Sequence, residues 1–151
     1  MAIIKSSKVI VVILVAVALG LTLTTIALIN VNQNVNSSGN ISTSPNIGVY
    51  CDGACSTNMT SINWGTVSPG GTTTVLGYVK NTGTSTMTLS NIAVSSWNPG
   101  TASTYLQITW NQTNTQLAPG QVVPALFTLT VSSSVTGITS FSNDIIVTGS
   151  G

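Results

Sequence analysis

The sequence predicts a mainly-β protein, a seven-stranded β-sandwich preceded by a single hydrophobic, transmembrane-type α-helix. Three observations carry this expectation. Residues Val9–Ile29 form an apolar run that no charge interrupts. Between positions 46 and 148, short stretches rich in β-branched and aromatic residues alternate with polar ones, and Pro-Gly and Asn-x-Gly turn signals separate them. Charged residues make up 3% of the 151 positions, against roughly 25% in an average soluble domain, so hydroxyl and amide side chains must form the surface.

The composition also excludes classes of function. The chain has three lysines, two aspartates and no histidine. Nucleic-acid binding by phosphate neutralisation needs a basic stripe, which three lysines cannot make. Histidine catalysis is impossible. A structural zinc site needs four good ligands, and only Cys51, Cys55, Asp52 and Asp144 are on offer. A glycosidase needs two carboxyl groups facing one bond, and this chain has only two in all. The expectation is a non-enzymatic protein with no cofactor, no metal and no nucleic-acid partner.

The first element is the helix at 9–29. Its twenty-one residues span about 31 Å as a helix, close to the roughly 30 Å hydrocarbon core of a bilayer. Lys5 and Lys8 precede it, and the next positive charge is Lys80. By the positive-inside rule, residues 1–8 form a basic cytoplasmic N-terminus, and the chain beyond the helix is exported. Three fates of the segment stay open: an uncleaved anchor, a secretory signal cut near Ala16-Val17-Ala18, or a leader cut near Lys5-Ser6 that leaves the helix on the mature chain. Ala16, Gly20 and Thr24 recur every four residues on one helix face, a spacing that lets membrane helices pack closely. Residues 30–45 read as a polar, uncharged linker. Ile29, Val31 and Val35 share one parity there, so the stretch can serve as an edge strand in its own domain or against a neighbouring copy.

The expected sandwich covers 46–149. Asn46–Cys51 is a short apolar run, and Ser61–Val67 carries Ile62 and Trp64. Thr72–Lys80 is rich in β-branched residues. Thr86–Val94 alternates at Met87 and Leu89 and resumes at Ile92. Thr104–Asn111 turns Leu106, Ile108 and Trp110 to one face. Val122–Val131 turns Ala125, Phe127, Leu129 and Val131 inward, and Ser140–Thr148 does so with Phe141, Ile145 and Val147. Pro69-Gly70 and Pro119-Gly120 each precede a strand as type II turns, with proline presetting φ and glycine supplying the positive φ that follows.

Trp64-Gly65-Thr66-Val67-Ser68-Pro69-Gly70, followed by Tyr78-Val79-Lys80-Asn81-Thr82-Gly83, resembles the pattern of immunoglobulin-like modules on prokaryotic surface proteins. Val49-Tyr50-Cys51-Asp52 with Cys55, and Leu126–Val131 with Ile138–Phe141, resemble archaeal secreted and cell-surface proteins that have one N-terminal hydrophobic helix and one such domain. The overall layout is similar to that of archaeal pilins. The resemblance implies an immunoglobulin-like fold and an address on the extracellular face of the cell membrane or in an extracellular filament. The functional expectation is a pilus- or thread-like structural subunit, and the alternative is a monomeric anchored adhesion or carbohydrate-binding module.

The remaining candidates are modification and contact sites. Outside the cytoplasm an even cysteine count favours a Cys51–Cys55 disulfide, with Gly53 permitting the tight turn. Asn36, Asn40, Asn58 and Asn111 head Asn-x-Ser/Thr sequons in stretches read as linker or turn, where glycans can attach. Trp64 and Trp110 are expected in the core, while Trp97, before Asn98-Pro99-Gly100, is the tryptophan expected at the surface, where it could meet surface glycans. With so little charge to oppose self-contact, homo-oligomers are expected, through the Ala16–Gly20–Thr24 face and by pairing of the linker with a neighbour's sheet edge.

Overall fold

The computed structural model describes residues 35–43 and 46–151. The expected helix, with Ala16, Gly20 and Thr24, lies outside the described residues. Among those described, no helix is long and apolar enough to cross a membrane. The described chain is mainly β, with its sheets in a sandwich-like arrangement.

Its elements in chain order are β1 (Val35–Thr43), β2 (Ile47–Tyr50), β3 (Ser61–Val67), β4 (Thr72–Asn81), β5 (Met87–Leu89), β6 (Ala93–Asn98), α1 (Ala102–Tyr105), β7 (Leu106–Trp110), β8 (Gln116–Leu117), β9 (Val122–Val131), β10 (Ser140–Val147) and β11 (Gly149–Ser150). One four-stranded sheet has the order β3-β1-β10-β6 and the other β2-β4-β9-β7; a small third sheet joins β11, β5 and β8. Every strand pair is antiparallel except β1 with β10, which run parallel.

Alternation decides which side chains enter the core. Ala125, Phe127, Leu129 and Val131 of β9 are all buried, as are Phe141, Ile145 and Val147 of β10 and Ile62, Trp64 and Val67 of β3. Each large apolar side chain withdrawn from water stabilises the fold by roughly 1.5–3 kcal/mol before conformational entropy is counted. Trp110 stacks on Phe127 at 5.9 Å between ring centroids, and Trp97 meets Phe141 at 5.7 Å. Both Pro-Gly turns form as expected. Gly70 and Gly120 have φ of +75° and +76°, and the closing bonds run from Gly71 N–H to Ser68 C=O and from Gln121 N–H to Ala118 C=O.

The structure departs from expectation in several places. The stretch read as a linker supplies a central strand. β1 pairs with β3 on one side and β10 on the other, so its own sheet already occupies both of its edges. Serine, asparagine and glycine fit a strand poorly on their own; here two flanking strands satisfy the backbone. The segment 86–94, read as one strand, divides. Leu89 N–H bonds Thr115 C=O, and Ser90 N–H bonds Thr148 C=O, which holds β5 in the third sheet while β6 pairs with β10. The strand expected from Thr104 begins at Leu106, because Ala102–Tyr105 makes one helical turn and buries Ala102 completely.

Candidate functional site

The outer face of the β3-β1-β10-β6 sheet is polar. It bears an open cleft of about 840 Å³ lined by Asn36 and Ser38 of β1, Ser61 and Asn63 of β3, Ser142 of β10, and Asn98 at the end of β6. None of the lining residues is ionisable. Asn36 Oδ1 accepts the Thr66 hydroxyl at 3.3 Å, and Asn63 Oδ1 accepts Gly65 N–H at 2.9 Å. Such a surface donates and accepts hydrogen bonds with uncharged, hydroxyl-rich groups and offers no acid, base or nucleophile of shifted pKa. Among the described residues, no group of three or more His, Cys, Asp or Glu stands ready for a metal ion.

The Cys51–Cys55 loop is closed differently from expectation. Both thiols are free, Cys51 exposed and Cys55 half-exposed. Their sulfurs turn to different carbonyls, Cys51 Sγ to Asn58 O at 3.9 Å and Cys55 Sγ to Gly53 O at 4.0 Å. The Asp52 carboxylate does the closing instead. It accepts Ser56 N–H at 3.1 Å, the Ser56 hydroxyl at 3.0 Å and Thr57 N–H at 2.9 Å. Cys55 N–H bonds Asp52 C=O at 3.0 Å, and Cys55 takes a φ of +56°. The Ser56 N–H foremost, with Thr57 N–H and the Ser56 hydroxyl, holds the Asp52 carboxyl below the usual carboxylate range against an opposing desolvation.

The four sequons do not share one environment. Asn36 and Asn40 lie on the outward face of β1, not in a linker. Asn58 is exposed in the loop before β3, where it bridges to Tyr50. Asn111 is exposed just after β7, and its Oδ1 accepts Leu126 N–H at 2.9 Å, which leaves its amide nitrogen for attachment. Trp64 and Trp110 are buried as expected. Trp97 is half-buried on Phe141 and offers no free aromatic platform; the register shift in β6, where Ser96 has φ +55°, breaks the alternation and brings it to the same side as Val94.

Two features were missed in the sequence. Where β7 ends, the side chains of Asn111 and Gln112 continue its pairing with β9. Gln112 Nε2 donates to Pro124 C=O at 2.6 Å, on a stretch of β9 where a proline has no N–H to offer. The other is a set of orphaned polar groups on the inner side of the cleft sheet. Ser37 Oγ, Trp64 Nε1 and both amide atoms of Asn143 are buried without a hydrogen-bond partner among the described residues. They sit on β1, β3 and β10, three adjacent strands.

Fold and surface together define a mainly-β, sandwich-like protein with an almost uncharged exterior. No protein-family model matches the chain, and no curated protein matches it.

Proposed function

We propose that this is a non-enzymatic structural protein of the cell surface, an immunoglobulin-like domain exported and anchored, or assembled into a pilus- or thread-like filament, through its N-terminal segment. The observation that carries the reading is the joining of two features: the apolar run Val9–Ile29 with lysines only on its N-terminal side, and a sandwich-like domain whose described residues include only Asp52, Lys80 and Asp144 as charged side chains. A surface of hydroxyls and amides has little charge to keep copies apart. It also changes little with pH. Two four-stranded sheets, antiparallel except where the first long strand lies beside the last, support the immunoglobulin-like description.

Protease added outside intact cells tests the topology. It should digest residues 46–151 and spare the N-terminal peptide; a protected sandwich overturns the reading. Negative-stain microscopy of surface preparations, with N-terminal sequencing of the recovered chain, separates a filament subunit from an anchored monomer.

The neutral cleft beside Asn63 and Asn98 favours a second reading, a monomeric anchored module that binds surface carbohydrate. Titration with neutral oligosaccharides, followed through the Asn63 and Asn98 side-chain amide resonances, discriminates the two.

A further inference from the structure

We infer that the outer edge of β7 is a self-pairing surface, joining two copies of this chain about a two-fold axis through Ile108. The inference deepens the assembly reading above and rests on it.

The two large sheets end in β3, β6, β2 and β7, and three of these edges are guarded. β3 carries a bulge where its register with β1 shifts, at Gly65 with φ +67°. β6 carries another opposite β10, with Ser96 at φ +55°. The outer edge of β2 is taken by the loop that follows it, through Met59 N–H to Val49 C=O and Cys51 N–H to Thr57 C=O, both 2.8 Å. Bulges and covering loops are the ordinary means of stopping edge-to-edge pairing. β7 has neither. Its register with β9 is unbroken from Leu106–Val131 to Trp110–Phe127, and it contains no charge and no proline. Among the described residues, its only strand partner is β9, and Leu106 N–H bonds Ala102 C=O in the preceding helical turn.

The direction of its backbone groups follows from the neighbouring bonds. Ser132 N–H bonds Tyr105 C=O, and Leu126 N–H reaches Asn111, so odd-numbered residues of this strand turn their backbone toward β9. By alternation, Ile108 and Trp110 each point an N–H and a C=O outward, and Leu106 points its C=O outward while its N–H closes the preceding helical turn on Ala102 C=O. Antiparallel pairing centred on Ile108 sets Ile108 against its own copy and Leu106 against Trp110 of the second copy. Ile108 then exchanges both hydrogen bonds with its copy, and each Trp110 N–H meets the Leu106 C=O of the other copy. Their side chains are buried in the core, so apolar faces meet apolar faces. Gln107 and Thr109, both exposed, face each other across the axis on the polar side. The strand is thus complementary to itself in backbone and in both faces, which is what a two-fold contact requires. Asn111, at the end of the strand, turns its amide to β9 and away from this edge.

The test is disulfide trapping in the full chain, in its native membranes, with Cys51→Ser and Cys55→Ser removing the native thiols. Gln107→Cys and Thr109→Cys are made in separate chains. A mixture of the two, given a mild oxidant, should yield a cross-linked dimer at least about tenfold above either chain alone, because the non-hydrogen-bonded pair brings its Cα atoms to about 4.5 Å. Gln107→Lys with Thr109→Lys, which sets like charges opposite each other, should abolish pairing at this edge without unfolding the domain. If the chain is oligomeric by light scattering but the mixture gives no cross-link, the β7 proposal falls and assembly through another surface stands. If the gently solubilised chain is monomeric and no cross-link forms, both this proposal and the assembly reading fall.

Discussion

Asn81 Nδ2 donates to the Leu117 C=O at 2.9 Å in a part of the core where both residues are fully buried. The same amide nitrogen donates to Ser85 C=O at 2.8 Å, and Asn81 Oδ1 accepts Gly83 N–H at 2.9 Å. The Asn81 backbone takes Gly120 N–H and gives to Gln121 C=O. One side chain thereby ties the end of β4 to β8 and fixes the Asn81–Gly83 turn. In sequence this asparagine reads only as a turn former.

Asn81→Asp keeps the shape and the acceptor but removes both donors, leaving the carbonyls of Ser85 and Leu117 facing a carboxylate. Buried polar groups stripped of a partner cost about 1–3 kcal/mol each. The variant should lose about 2 kcal/mol or more in urea unfolding, with an unchanged denaturant slope. A loss below about 0.5 kcal/mol overturns the role assigned to this side chain.

Asn143 is the opposite case. It is 2% exposed, and among the described residues neither its Nδ2 nor its Oδ1 has a hydrogen-bond partner. It pairs with Gly39, where a Cβ would come within 3.3 Å of Asn143 Oδ1. Replacing an unpartnered amide with an apolar side chain of similar size removes its desolvation cost. Asn143→Val should therefore raise stability by about 1 kcal/mol in the same unfolding measurement. A destabilised variant shows that the amide is satisfied in solution.

These two asparagines mark the limit of what the sequence makes legible. The alternation of Phe127, Leu129 and Val131, or of Phe141, Ile145 and Val147, states its inward face directly, because burial selects residue type at every second position. Pro69-Gly70 and Pro119-Gly120 announce their turns because their backbone preferences are local. β1 is not legible in this way. Its inward positions include Ser37 and Gly39, and only the flanking strands make it a strand. The cleft draws its walls from β1, β3, β6 and β10, so no short window of sequence contains it. The cysteine pair misled for a related reason: the count suggested a bridge, while the loop had already been closed by the carboxylate between them.

The thiols give a direct check. Cys51 and Cys55 are free, and Cys51 is exposed, so protein handled without reductant should take up two iodoacetamide groups under native conditions. Cys51 should react first. Failure of both to react unless reductant is added would restore the bridge.

The loop that holds those cysteines should open in acid through Asp52. Its carboxyl is held below the usual range because the ionised form accepts the Ser56 N–H, the Thr57 N–H and the Ser56 hydroxyl. A group whose folded pKa lies below its unfolded value lends stability above the unfolded pKa and loses it as pH falls through the folded one. The Asp52 contribution is therefore complete at neutral pH and disappears only below the ordinary carboxylate range. Amide chemical shifts of Ser56 and Thr57 should hold constant from neutral pH down to that range, then move together with the Asp52 carboxyl signal. Asp52→Asn keeps one acceptor oxygen but no charge, so it should remove this acid transition and raise hydrogen exchange at Ser56 and Thr57 at neutral pH. If those two amides titrate independently of Asp52, or exchange equally slowly in the variant, the carboxylate does not close the loop.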